Sequence, residues 1–278
     1  MYMNAQVGHT SVVSETHRSL FQNEGYMILE SVIPESVLQV LREECSYFMG
    51  YSDAEMDARS AKVDGISRRG NRYFIANKYR LRTQMASFIF SSLMADITTA
   101  CLGSEVYLFN EQWVVKGAEK GMKFGWHQDS GYIKFEEGDT RHKPYVTCWC
   151  TLDDVTEENG TVYLLPHSRG NTHHTIVDHA KEAGSNDLVG YTGSDPGIPI
   201  IVRAGSIVVF TSLNFHRSGS NSTKRMRRVY LPQYSSEPIL NRAGRFHCMA
   251  VPFVSGGEVV YDPVADRAEK YGGVAGID

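Results

Sequence analysis

From Glu105 onward the chain is cut into short runs of β-branched and aromatic residues: EVYLFNEQWVVK, YVTCWCTLDDV, TVYLLPHS, IPIIVRAGSIVVF and RRVYLPQYS. Glycine, asparagine or proline separates them, as expected of strands joined by turns. No helix-length pattern interleaves them regularly, which disfavours a parallel sheet of strand-helix-strand units and predicts an antiparallel sandwich or barrel. A chain of 278 residues can build such a fold as one domain.

The first hundred residues have a different texture. SETHRSLFQNEG, residues 14–25, reads as a helix with a serine cap and a glycine stop, and YMILES follows as a short strand. Pro34 then opens a second helix, with Val37, Leu41, Cys45 and Phe48 on one stripe. Residues 50–83 are polar and irregular, and residues 84–102 are again helical. The dipeptide Asn159-Gly160 suits a tight hairpin turn. The tail YGGVAGID is expected to be loosely held.

Net charge is −4 and the pI about 6.2, so no global basic field exists to hold a nucleic acid or an anionic membrane. The expected partner is a small molecule. Five cysteines, Cys45, Cys101, Cys148, Cys150 and Cys248, show no paired spacing, and Cys148 and Cys150 read as buried thiols on alternate positions of a strand. No apolar stretch approaches the ~18 residues of a membrane span, and the first residues lack a basic segment followed by an apolar core. The expected location is the cytoplasm.

The stretch FGWHQDSGY sets His127 and Asp129 two apart. On an extended segment both side chains share a face, because strand side chains alternate with period two. A third ligand must come from elsewhere, and His216, at the end of an apolar strand-like run, is the candidate; His173 and His174 are alternatives. Two histidines and one carboxylate form the facial triad of non-haem Fe(II) oxygenases, which leaves positions open for a cosubstrate and dioxygen. Arg227 follows His216 by eleven residues, at the start of a strand. A guanidinium there suits the far carboxylate of a dicarboxylate cosubstrate, which it can grip with two parallel bonds.

The motifs WHQD, WCTLDDVTEENGTVYLLPHSRG and HRSGSNSTKRMRR closely resemble those of the phytanoyl-CoA dioxygenase (PhyH-like) family of Fe(II)/2-oxoglutarate oxygenases, over about residues 15–255. The resemblance implies a mainly β fold with flanking helices, the core a double-stranded β-helix: a cupin-like jelly roll. It implies one domain over residues 1–278, with helices over about 14–102 and the jelly roll over about 105–255. It also implies Fe(II), 2-oxoglutarate and O2 as cofactor and cosubstrates, with oxidation of a small-molecule metabolite and release of succinate and CO2. Carried over by position, His127, Asp129 and His216 match the iron ligands and Arg227 the cosubstrate arginine. Ser218 matches a hydroxyl on the same carboxylate, and Trp149 and Gln112 fall on strands that line the cosubstrate pocket. His167 matches a structural turn, while His173, His174 and His179 read as solvated. Because consecutive strand residues face opposite ways, only one of Arg227 and Arg228 can enter the barrel; the resemblance implies that it is Arg227, with Arg228 left to solvent.

Substrate choice is assigned to residues 50–83, 131–144 and 172–198, the last a candidate lid. Arg68, Arg69 and Arg72 could meet an anionic substrate group or stand as surface charges. Tyr132, Ile133 and Phe135 are candidates for one pocket wall, barrel packing being the alternative. Hydroxylation is the expected reaction; desaturation or ring formation with the same cosubstrates, and a cupin-like isomerase or hydrolase without them, are the alternatives.

Overall fold

The computed structural model describes residues 11–119, 121–138, 142–183 and 187–268. Two antiparallel sheets face each other. The larger has the order Tyr26–Leu29, Ile207–Thr211, Val146–Thr151, Arg227–Ser235, Val106–Lys116 and Arg72–Ala76, and ends in the two-residue strands Ser67–Arg68 and Val63–Asp64. Val251–Ser255 also pairs with Val106–Lys116. The smaller sheet runs Ile198–Pro199, Val162–Leu165, Phe215–Ser218, Phe124–His127. The strand-rich second half predicts an antiparallel sandwich or barrel, and the arrangement found is the jelly roll that the family resemblance implies.

Period-two alternation builds two cores from one sheet. Trp149, Val208, Phe210 and Val229 point between the sheets, against Val162 and Leu164. Cys148, Cys150, Ile207, Val209 and Tyr230 point outward, beneath a helical layer that contributes Leu38, Leu41, Cys45, Phe48, Met94 and Ile97. Full burial of each large apolar side chain stabilises by about 1.5–3 kcal/mol.

The first helix, Glu15–Glu24, starts at Ser14, whose Oγ accepts from the His17 amide, while His17 Nδ1 accepts in return from the Ser14 amide. Gly25 ends it at φ +80°, and a Cβ there would lie 2.2 Å from His167 Nε2 and 2.3 Å from Asn214 Oδ1. Only glycine satisfies both the left-handed backbone and the close approach.

Four expectations change. The second helix, Glu35–Ala58, runs past Gly50, which meets open space there and costs the helix only its own propensity. Residues 50–83 are therefore not irregular, and Arg72–Ala76 within them is a full strand of the large sheet. Together with Tyr26–Leu29, an expected strand, it gives the large sheet two strands from the first hundred residues. Residues 84–102 divide into Thr83–Ile89 and Ser92–Leu102, because Ser91 caps the second helix by accepting from the Met94 amide. Asn159-Gly160 does not form a two-residue hairpin. It closes a longer loop in which Asn159 Oδ1 accepts from the Thr156 amide and Gly160 takes φ +84°. The tail YGGVAGID lies outside the described residues. Among the described residues no single helix is long and apolar enough to cross a membrane.

Candidate active site

The register of the small sheet sets His216 directly opposite His127. Their rings stand 4.1 Å apart between centroids. His127 Nδ1 is held by Gly125 O at 2.9 Å and His216 Nδ1 by Asn214 O at 3.2 Å, so both Nε2 atoms are left facing inward. Asp129 is not on the strand, contrary to the period-two reading. Phe124–His127 ends before it, and Asp129 is the first residue of the helix Asp129–Glu137. The turn between them is fixed by Gln128, whose amide nitrogen donates to Thr175 O at 2.8 Å and Leu213 O at 2.7 Å, and whose oxygen accepts from the Val177 amide at 2.8 Å.

Asp129 Oδ1 lies 3.4 Å from His216 Nε2 and 3.9 Å from His127 Nε2, and the three ligand atoms all lie within 4.8 Å of one another. Donors on adjacent corners of an octahedron with bonds of about 2.1 Å stand about 3 Å apart, so a modest contraction around an ion gives a facial site. Asp129 Oδ2 accepts from Thr147 Oγ1 at 2.5 Å and Gln233 Nε2 at 3.0 Å, which orients the other oxygen toward the imidazoles. Burial, together with the facing His216, holds the His127 imidazole well below its ordinary range. Burial works the other way on Asp129, but the imidazoles and Thr147 outweigh it and keep the carboxylate below its usual range. Both are thus in the protonation state a metal requires.

A cavity of about 80 Å3 lies beside the triad, lined also by Gln112, Trp149, Ser218 and Arg227. All four candidate cosubstrate residues therefore meet the three ligand candidates at one place. Arg227 is 1% exposed. Its Nη2 donates to Gly160 O at 2.9 Å and its carbon stands 5.5 Å from the Trp149 ring centre, while Nε and Nη1 are buried without partners. Burial lowers the guanidinium to about 10, so it remains charged at neutral pH. A buried cation with two idle donors is complementary to a carboxylate. Arg228 points away, as period two requires. It does not simply meet solvent, for it grips Asp153 through Nε at 3.0 Å and Nη2 at 2.7 Å.

The substrate candidates fare unevenly. Tyr132 and Ile133 line a second cavity of about 250 Å3 that also reaches His127 and Asp129. Phe135 does not; it is 45% exposed on the outer side of its helix, with Lys181 over its ring. Arg72 lines neither cavity, being locked in a buried two-pronged pair with Asp187 at 3.0 and 3.1 Å. Arg69 pairs with Asp57 at the surface. His173 and His174 are exposed, but His179 is buried and accepts from the Gln128 amide at 2.9 Å, bracing the turn that carries Asp129. Residues missed in the sequence include Thr147, Gln233 and Lys116. Lys116 is buried and donates to Met122 O at 2.6 Å and to Gly219 O.

The profile of the phytanoyl-CoA dioxygenase (PhyH) family matches residues 21–229, well over half of the chain. The chain belongs to this family. Ectoine dioxygenase of Bordetella bronchiseptica is 25% identical to this PhyH protein over 237 residues, 80% of this chain and 75% of the relative. L-Proline trans-4-hydroxylase of Streptomyces griseoviridis is 27% identical over 154 residues, 48% of this chain and 56% of the relative. The crystal structure of EvdO2 from Micromonospora carbonacea var. aurantiaca complexed with 2-oxoglutarate has the same fold, with a TM-score of 0.62 and 21% identity over 81% of this chain and 91% of that one. As a PhyH protein the chain is an oxidoreductase of the Fe(II)/2-oxoglutarate oxygenase class.

Proposed function

We propose that this single-domain PhyH protein hydroxylates a small-molecule metabolite, with His127, Asp129 and His216 holding Fe(II) and Arg227 holding 2-oxoglutarate. The observation that carries the reading is the meeting of three convergent metal donors with a buried guanidinium whose Nε and Nη1 have no partner. Bound iron would supply C–H oxidation, driven by O2 and by conversion of 2-oxoglutarate to succinate and CO2.

The chain's own side chains perform the remaining tasks. Arg227 fixes the distal carboxylate of the cosubstrate, Ser218 and Gln112 add hydrogen-bonding groups along the cavity, and Trp149 walls it. Thr147 and Gln233 keep Asp129 turned to the metal. The larger cavity receives the substrate on the His127–Asp129 side. Five free thiols, none disulfide-bonded, support a reducing, cytoplasmic setting.

The test is succinate formation from 2-oxoglutarate with Fe(II) under air, followed by mass analysis of candidate metabolites. Gain of one oxygen atom by the substrate is expected. Loss of two hydrogens would replace hydroxylation by desaturation or ring formation, and failure to bind 2-oxoglutarate would remove the oxygenase reading.

A further inference from the structure

The second cavity narrows the substrate class, an inference that rests on the oxygenase reading above. At about 250 Å3 it suits a small metabolite, and His127 and Asp129 form one end of it. Phe109, Tyr145, Glu136 and His247 line it as well. No lysine or arginine is among its described lining residues. Nearby cations are engaged elsewhere: Arg72 with Asp187, and Lys134 with Asp178 at 2.8 Å and Ile176 O at 2.9 Å. An anionic group entering this space would lose water and meet no lysine or arginine among the described lining residues, an unfavourable exchange.

A cation meets the opposite situation. Glu136 is 61% exposed, which puts its carboxylate at the mouth, 3.7 Å from His247 Nε2, while Glu137 Oε1 stands 3.5 Å from His247 Nδ1. Phe109 and Tyr145 lie 4.8 Å apart between ring centres, and the His247 ring is stacked against Phe109. A carboxylate beside aromatic faces is the arrangement that binds organic ammonium groups. We propose that the substrate carries a protonated nitrogen, seated between the Glu136 carboxylate and the Phe109 and Tyr145 rings, while the carbon to be oxidised faces His127 and Asp129.

Three probes of one shape test this by calorimetry on protein loaded with Mn(II) and 2-oxoglutarate: cyclohexylammonium, cyclohexanol and cyclohexanecarboxylate. The ammonium should bind about tenfold or more tightly than the other two, and Glu136→Gln should abolish that preference. The substitution is at an exposed position, so the variant keeps its fold. A carboxylate that binds as tightly as the ammonium, no measurable ammonium binding, or a preference that survives in Glu136→Gln would each overturn the proposal. Titration of 2-oxoglutarate into the Mn(II) protein without probe separates the two readings. Its failure removes the oxygenase assignment, whereas intact cosubstrate binding with the wrong charge preference removes only the substrate class.

Discussion

Arg227 and Arg228 are neighbours on one strand and share no hydrogen-bond partner. Arg227 enters the barrel and donates to Gly160 O with two donors left idle, while Arg228 lies on the opposite face, clasped by Asp153. The alternation of a single strand thus separates a buried charge with idle donors from one engaged in an ion pair.

Removing Arg227 should therefore cost cosubstrate binding. Loss of one partner of a desolvated charge pair costs on the order of 2–5 kcal/mol, roughly thirty-fold to several-thousand-fold in affinity. Arg227→Lys should recover part of it, because an ammonium cannot reproduce the planar fork. Arg228→Ala should instead lower stability by about 1 kcal/mol and leave the 2-oxoglutarate requirement alone. The measurement is the 2-oxoglutarate dependence of succinate formation; a sharp rise in Arg228→Ala alone would reverse the assignment.

Alanine at His127, Asp129 or His216 should abolish stoichiometric metal binding. The supporting residues give the finer test. Gln233→Leu removes a donor from Asp129 Oδ2 without touching the ligand set, and should weaken Mn(II) binding by about 10- to 100-fold. Unchanged affinity in a titration would show that Thr147 alone orients the carboxylate.

The Arg72–Asp187 pair ties the large sheet to the segment leading into Leu188–Val189, whose Leu188 amide donates to the Tyr132 hydroxyl at 3.3 Å. Both side chains are almost fully buried, so Arg72→Met should destabilise by about 3–5 kcal/mol by breaking a buried ion pair. Replacing both, as Arg72→Met with Asp187→Leu, should recover most of that loss. Denaturant titrations of the two variants check this. A normally stable Arg72→Met protein with a raised substrate KM would return Arg72 to the substrate.

Glu111 supplies a pH signature away from the site. It accepts from the Tyr79 amide at 3.0 Å and from the Lys78 amide, and burial raises its pKa to about 7, against an ordinary value of 4.5. The folded chain therefore binds this proton more tightly than the unfolded chain. Stability should fall as pH rises from 4.5 to 7, by about 3 kcal/mol for this group. Glu111→Gln keeps an accepting oxygen and cannot ionise, so its stability relative to the wild type should grow over that window. Parallel pH profiles in thermal denaturation would disprove the assignment.

Much of the centre is legible because chemistry and alternation act together. Residue type and spacing make His127, Asp129, His216 and Arg227 candidates, and the family motifs select His216 and Arg227 over their alternatives and add Trp149, Gln112 and Ser218; all seven line one cavity. The same alternation also contained residues that were overlooked. Gln233 shares a face with Arg227 six positions on, and Thr147 shares one with Trp149 two positions back. What could not be read depends on packing between distant segments. Nothing local marks Asp187 as the partner of Arg72, or His179 as the brace of Gln128, and Phe135 faces out because the metal motif turns into a helix at Asp129. Arg72–Ala76 was missed as a strand because its neighbours are polar and its pairing partner, Val106–Lys116, comes much later.

Among the described residues the strand Tyr26–Leu29 pairs only with Ile207–Thr211, which lies much later in the chain. At ordinary translation speeds of about 5–20 residues per second, an emerging chain waits roughly 10–40 s between making the two. During that interval Tyr26 and Ile28, which pack into the core between the two sheets in the finished protein, have no sheet to cover them. Newly made polypeptide thus carries a sticky, uncovered segment until late in synthesis, a situation in which chaperones and slower growth temperatures favour recovery of intact protein. Ribosome-stalled chains that stop before Ile207 should be cleaved readily within residues 26–29, and full-length chains should resist; equal resistance in both would mean that another segment shelters the strand first.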